Sequence, residues 1–227
     1  MIGCRRPPHG DQIGDVHSKT MMNEMFTSPS EPLIVIEGLA AIRARPALQL
    51  GLVESDRLCF LITRILHWAC ENDDWGGCGK SAVVTLLDDG AVCVATDAQP
   101  LSVTEDEYGR VPLTFAFTSV MTGPTSANGL SLVTAFSNRV VVEATNDGHT
   151  WQQEFAEDAA VSPARLIGSA QGRGTKITFW PKDEYFPKPR DGQALEEALS
   201  DFRTHHPAFS LSVCDEHALA GPWLHSE

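Results

Sequence analysis

A chain of 227 residues with 42% hydrophobic and 21% charged residues has the composition of an ordinary globular domain. Its formal net charge of -13 disfavours direct binding of a nucleic acid, because an acidic surface repels the phosphate backbone. No apolar run approaches the ~20 residues that a membrane-spanning helix needs, and no signal-peptide core follows Arg5 and Arg6, so we expect neither membrane insertion nor export.

The order of segments predicts one folded domain between two tails. Residues 1–32 are rich in Gly, Pro, Ser, His and Met without sustained periodicity, which is typical of a flexible N-terminal tail. The folded domain is predicted over residues 33–217, and residues 218–227 are predicted to form a C-terminal tail. The six cysteines form no C-x-x-C pair. We interpret them as reduced thiols of a cytoplasmic protein, without a zinc site.

The folded part opens with helical patterns. Glu37–Arg45 (EGLAAIRAR) predicts a short helix ended by Pro46. Ser55 or Asp56 is the predicted N-cap of a longer helix that runs to about Glu71. Its apolar residues fall on one stripe at helical spacing, namely Leu58, Leu61, Ile62, Ile65, Leu66 and Ala69.

Strand patterns follow. The runs Ser81–Leu87 and Ala91–Ala95 are joined by Asp-Asp-Gly, which predicts a hairpin. Asn128–Ser137 is apolar enough for a buried helix. Arg139–Ala144 and Thr150–Phe155 predict a second hairpin around an Asn-Asp-Gly turn.

The last third of the chain predicts a strand, a helix and a closing strand. These are Thr175–Trp180, stopped by Pro181, then a helix over residues 191–205, then Phe209–Cys214. Strands and helices fall into blocks instead of alternating. We therefore predict an α+β fold with one mixed sheet covered by helices in a two-layer sandwich.

Five strings in collinear order carry a resemblance to a known family. They are Val35–Gly51, Val84–Val94, Leu132–Asn138, Gly168–Trp180 and Asp201–Asp215. In this order they resemble the N-terminal ATPase domain of DNA gyrase B and topoisomerase IV, which belongs to the GHKL superfamily. The resemblance implies a two-layer Bergerat sandwich that binds ATP between helices and sheet under a lid. The strand-passage parts of a topoisomerase are not matched, so we expect no topoisomerase activity from this chain by itself.

The family's long helix carries a glutamate as general base and, four residues later, an asparagine that binds Mg²⁺. An alignment anchored on Gly77 places these positions at Ile65 and Ala69. Neither side chain can take a proton or bind a hard cation. The resemblance therefore predicts no catalytic and no metal-binding residue at these positions. The alternative is a rearranged acidic site over residues 71–74.

Other family motifs are partly kept. The adenine-reading aspartate position falls on Thr96, although Asp97 could replace it after a shift of one residue, and both glycines of that motif are gone. The region that aligns with the family's lid is shortened to Met121–Gly129, and Gly129 matches the last glycine of the lid motif. Thr175 matches the family's threonine that supports the adenine site. If nucleotide binding survives, the predicted contacts are Asn72, Asp73, Asp97, Gly129 and Thr175.

Three functions remain open. The first is a non-catalytic binding or regulatory module, a pseudo-ATPase that needs no cofactor and acts on a protein partner, either a gyrase-type subunit or a second copy of itself. The second is a divergent ATP-binding protein or weak ATPase that uses ATP and Mg²⁺. The third is a small-ligand binder whose remodelled pocket is lined by Ile65, Trp68 and Ala69. The resemblance does not decide among them, because function depends on the site.

Overall fold

The structure is a computed structural model that describes residues 37–73, 76–120, 127, 129–186, 188 and 190–216, with the backbone alone for Asn72 and Asp73. The two predicted tails, residues 1–32 and 218–227, lie outside these ranges.

The first helices are short and are followed by a long one. Helix α1 spans Gly38–Arg43 and helix α2 spans Pro46–Leu50. The first helix ends at Arg43, two residues before the predicted end at Arg45, and Pro46 begins the next helix, because a first-turn proline has no amide that needs a helical partner. A short 3₁₀ turn, Glu54–Asp56, leads into helix α3, Arg57–Cys70. Asp56 precedes α3 as predicted, although its side chain makes no capping hydrogen bond.

The strands form two sheets. A two-stranded pair, β1 (Asn72–Asp73) and β2 (Gly76–Gly77), follows the end of α3. The main sheet has eight strands: β3 (Ser81–Leu86), β4 (Val92–Thr96), β5 (Ser137–Asn146), β6 (His149–Ala156), β7 (Ala159–Ala160), β8 (Arg165–Gly168), β9 (Gly174–Pro181) and β10 (Ser210–Asp215). The two predicted hairpins are therefore β3–β4 and β5–β6.

The strand order of the main sheet is β10-β3-β4-β9-β5-β6-β7, with β8 paired to β6. Strand β10 runs parallel to β3, and every other pairing is antiparallel. Alternate residues of the central strands, including Val84, Val94 and Ile177, are fully buried in one core with the helices. The predicted α+β architecture, one mixed sheet covered by helices, is confirmed.

The remaining helices differ in part from the prediction. Helix α4, Pro112–Thr118, was not predicted; α5 covers Leu130–Ala135 inside the predicted buried helix, and all six of its residues are buried. The single helix predicted over residues 191–205 is wrong. It is two helices, α6 (Gly192–Ala198) and α7 (Ser200–His205). The break at Leu199 directs the buried side chains of both helices into the core.

Candidate functional site

The inner face of α3 is packed into the core. Ile65 and Ala69, the positions that the resemblance assigns to the general base and the Mg²⁺ ligand, are both 0% exposed to solvent. Trp68 is 1% exposed. These side chains offer no proton acceptor and no oxygen ligand, so this part of the site is closed hydrophobic core.

The turn after α3 is held tightly against the helix end. The Gly79 amide donates to the Ala69 carbonyl at 2.8 Å, and Gly77 exchanges two backbone hydrogen bonds with Gln99, at 3.1 and 2.8 Å. Gly77 has φ +81°, and a Cβ there would lie 2.2 Å from the Glu71 carbonyl oxygen. Only glycine fits this close approach. The segment after β4 is thereby fixed against the helix end.

Asp97 follows β4 and binds backbone. One carboxylate oxygen accepts hydrogen bonds from the amides of Lys80 and Ser81, at 2.8 and 2.9 Å. Burial raises the pKa of Asp97, but the amide hydrogen bonds from Ser81 and Lys80 outweigh it and hold the pKa below its ordinary value. The neighbouring Thr96 hydroxyl donates to the Ser81 carbonyl at 2.7 Å. Both side chains thus join the start of β3 to the end of β4.

Thr175 lies on the strand next to β4, paired with Thr96 in the sheet register. Its side chain is buried, and its hydroxyl donates to the Ala98 carbonyl at 3.3 Å. The structure therefore brings Thr96, Asp97 and Thr175 together at one end of the sheet. Each of the three side chains forms a hydrogen bond with a backbone group of the chain, and Asp97 also accepts one from the Ser81 side chain.

Gly129 lies elsewhere, at the start of α5. It is buried with φ +116°, and the stem of Arg64 covers it. Burial lowers the pKa of Arg64, and its guanidinium lies 4.4 Å from the centre of the Phe60 ring. The other predicted contacts, the side chains of Asn72 and Asp73, lie outside the described part of the structure, as do Asp74 and residues 121–126.

A cavity of about 530 Å³ opens beside Thr175. It lies between the segment after β4 and the turn end of the β5–β6 hairpin, and Gln99, Asn146, His149 and Trp151 contribute to its walls. It is next to the threonine because Ala144 pairs with both Trp151 and Thr175. Sequence reasoning missed these wall residues. The predicted Asn-Asp-Gly turn lies among these residues in the chain. The sequence did not indicate that this turn faces the segment after β4 across a cavity.

The described residues contain no group of three His, Cys, Asp or Glu side chains arranged to hold a metal ion. None of their helices combines the length and apolarity needed to cross a bilayer.

The chain is similar to known type II topoisomerase proteins, although no family model matches it. The DNA gyrase B protein of Haloferax volcanii is 28% identical over 200 residues, which cover 80% of this chain and 31% of that protein. The B component of the type 2 topoisomerase of Aquifex aeolicus is 29% identical over 201 residues, which cover 82% of this chain and 25% of that protein. The chain spans less than a third of the length of these curated relatives.

A solved structure shows the same fold. The 43K ATPase domain of Thermus thermophilus gyrase B, in complex with an aminocoumarin, has a TM-score of 0.66 and 25% identity, covering 78% of this chain and 48% of that chain. The mixed sheet with its helical layer defines the class as a GHKL-type ATPase-domain fold. Within that class the chain is a gyrase-B-like domain, as the sequence predicted.

Proposed function

We propose that this gyrase-B-like domain is a non-catalytic binding or regulatory module, a pseudo-ATPase that has lost the general base, the Mg²⁺ ligand and the lid of its relatives. The observation that carries the proposal is the complete burial of Ile65 and Ala69, the residues that the resemblance places at the positions of the base and the metal ligand. Base catalysis and charge stabilisation are separate contributions to the rate, so losing both residues lowers turnover by orders of magnitude.

The polar groups nearby support the same proposal. The Thr175 hydroxyl and one oxygen of Asp97 already have backbone partners, so a nucleotide would have to compete with hydrogen bonds inside the chain. Ala98, between them in space, is 0% exposed. In this proposal the domain needs neither ATP nor Mg²⁺ as a cofactor.

Calorimetry tests this directly. The purified full-length chain is titrated with a non-hydrolysable ATP analogue, with and without Mg²⁺. We expect no heat of binding at about 1 mM ligand, which places the binding free energy above about -4 kcal/mol. Micromolar binding that depends on Mg²⁺ would contradict the proposal. The acidic alternative is then tested by the loss of ATP turnover in Asp73→Asn.

A non-catalytic module acts through a partner, and we propose a protein partner. Both relatives are named as one of the subunits of their enzymes, which marks each as one part of an assembly. The partner in this proposal is a gyrase-type subunit or a second copy of the chain. Light scattering of the chain alone, and after mixing with a purified gyrase-type subunit, measures which complex forms. A monomer in both samples would contradict both partners.

The cavity beside Thr175 favours one second candidate, a small-ligand binder. Its volume of about 530 Å³ is within the size of small-molecule sites, and an aromatic side chain, Trp151, lies in its wall. The Thermus thermophilus domain is in complex with an aminocoumarin, which provides a probe. Binding should change the fluorescence of Trp151, and Trp151→Phe should abolish that change. An unchanged emission spectrum at millimolar probe would exclude this candidate for that ligand class.

A further inference from the structure

A groove runs along the outer side of α3, away from the site described above. Two adjoining cavities of about 370 and 460 Å³ lie between α3 and the α6–α7 pair, and both are lined by Ala198. We call this surface the α3–α6 groove. It begins beside the 3₁₀ turn that precedes α3 and extends to His67, near the other end of the helix.

The floor of the groove is apolar. Leu58, Cys59 and Phe60 on the first turn of α3 are only half buried, although they belong to a helix whose opposite face is core. Ala194 and Ala198 on α6 are exposed. Small side chains on one wall leave room for another chain to approach the floor closely. Half-exposed apolar residues in a groove are a common feature of binding surfaces.

The rim of the groove is acidic. Asp56, Asp191, Glu197 and Asp201 line it and are exposed. None of the four forms an ion pair with another described residue, whereas Glu54 beside them is paired with Arg57 at 3.2 Å. Burial raises the pKa of the Cys59 thiol to about 11, and the charges of Asp56 and Asp201 add to the effect. Burial is the main cause of that shift, and the charges of these two rim carboxylates also act on the floor of the groove.

The basic side chains that line the groove do not neutralise the carboxylates of Asp56, Asp191 and Glu197. Arg190 is directed to the Gly90 carbonyl at 2.6 Å and to Asp183 at 3.2 Å. Arg64, whose guanidinium lies over the Phe60 ring, is at the far end, where His67, His205 and His206 line the groove together with Asp201. The groove thus has an acidic half, with Asp56, Asp191 and Glu197, and a mixed end, where Asp201 lies beside basic side chains.

We propose that the α3–α6 groove binds a short segment of a partner protein in which Lys or Arg side chains alternate with apolar ones. The apolar side chains would cover Leu58, Cys59 and Phe60. The cations would meet rim carboxylates that form no ion pair, although Asp56 and Asp191 each accept one hydrogen bond, from the Ser55 hydroxyl and the Gln193 amide. Complementary charge selects such a partner and speeds its association. The inference deepens the proposed protein-binding function and rests on it.

A pair of matched peptides tests the inference. The probes are a fluorescent amphipathic peptide of Leu and Lys, and the same peptide with Glu in place of every Lys, titrated with the full chain and followed by anisotropy. The Lys peptide should bind and the Glu peptide should not. The double variant Glu197→Lys/Asp201→Lys should weaken binding at least about tenfold. The control Glu105→Lys/Glu107→Lys changes the net charge equally on another exposed loop and should weaken binding less than about twofold.

The cysteines locate the bound peptide. Cys59 lies in the groove, whereas Cys78 and Cys214 are exposed outside it. Bound Lys peptide should slow alkylation of Cys59, read by mass spectrometry, and leave Cys78 and Cys214 unchanged. Equal loss of binding in both double variants, or protection of the other cysteines instead, would overturn the inference. Nucleotide binding in the calorimeter would contradict the pseudo-ATPase proposal but would not change the peptide-binding result. The pseudo-ATPase proposal and the groove proposal can therefore fail separately.

Discussion

Asp97 joins two strands of the sheet through a single carboxylate oxygen. Replacing it with Ala leaves the amides of Lys80 and Ser81 without their acceptor, and we expect a loss of about 1–3 kcal/mol in the free energy of unfolding. Asp97→Asn keeps an acceptor oxygen at the same place and should lose less. Urea unfolding at pH 7 measures both. Equal stability of wild type and Asp97→Ala would show that this oxygen does not hold the strands together.

The charge of Asp97 makes the same contribution depend on pH. Its folded-state pKa lies below the ordinary value of 3.8, so the stabilisation is fully present above that value and is lost as the pH falls through the folded-state pKa. The stability difference between wild type and Asp97→Asn should therefore shrink between pH 7 and pH 3. The exposed Glu105→Gln is the control, and its difference from wild type should change less.

Arg43 holds the tip of a tight hairpin. The turn between β6 and β7 places Glu157 at φ +49° and Asp158 at φ +69°, in the left-handed region, which is costly for Glu and better tolerated by Asp. Arg43 of α1 binds both oxygens of Asp158 and also donates to the Ala135 carbonyl at 3.3 Å. The helix, the turn and the end of α5 are thereby connected by one side chain.

Removing this side chain should be costly even though the pair is partly exposed. We expect Arg43→Ala to lower the free energy of unfolding by about 1–2 kcal/mol, measured in urea. Lys188→Ala removes the more exposed ion pair with Asp183 and should cost less than about 0.5 kcal/mol. A reversed order of the two effects would contradict the role given to Arg43.

At the level of elements, the inner face of α3 tests the pseudo-ATPase proposal. The double variant Ile65→Glu/Ala69→Asn introduces the residue types that the resemblance assigns to these positions, and it would place a carboxylate and an amide where the side chains are 0% exposed. We expect no gain of ATP turnover and a loss of at least about 3 kcal/mol in unfolding free energy. The control Cys59→Asn/Thr63→Glu puts the same side chains on the half-exposed face and should cost far less.

A stable Ile65→Glu/Ala69→Asn variant with Mg²⁺-dependent ATP turnover would mean that these side chains face a pocket able to bind nucleotide. The pseudo-ATPase proposal would then be wrong, because the burial of Ile65 and Ala69 would not mean that the site is lost.

Elements formed by local signals were predicted well. Each Asp-Gly turn lies between β-rich runs and joins neighbouring strands, so the β3–β4 and β5–β6 hairpins could be recognised. Strand β8 could not, because all four of its residues are exposed and show no alternation. The break at Leu199 was missed because it depends on packing against the core, which helical spacing does not reveal.

For the candidate site, the sequence predicted which positions to inspect but not the hydrogen bonds that the side chains form there. The collinear strings placed Ile65 and Ala69 on the long helix, and the helical stripe predicted that Ile65 is buried. The hydrogen bonds of Asp97 and Thr175 end on backbone groups of Lys80, Ser81 and Ala98. No pattern of side chains encodes such partners, since every residue carries the same backbone groups.

At the scale of the whole molecule, the net charge of -13 acts against compactness. Like charges repel more strongly at low ionic strength, where the Debye length is about 30 Å, than at physiological salt. We expect the midpoint of thermal unfolding to rise when NaCl is increased from about 0.01 M to about 0.15 M. Glu105→Lys/Glu107→Lys lowers the negative charge and should show a smaller rise. A midpoint that falls with salt would mean that attractive ion pairs dominate.

The order of the strands has a consequence for synthesis on the ribosome. Strand β9 lies between β4 and β5, yet it begins at Gly174, after both of them. Strand β10, which covers the outer edge of β3, is made later still. Until these segments emerge, the nascent chain carries two hairpins with open strand edges and apolar faces, a state that chaperones recognise and that aggregates easily. Most of the chain must therefore be made before its sheet can close.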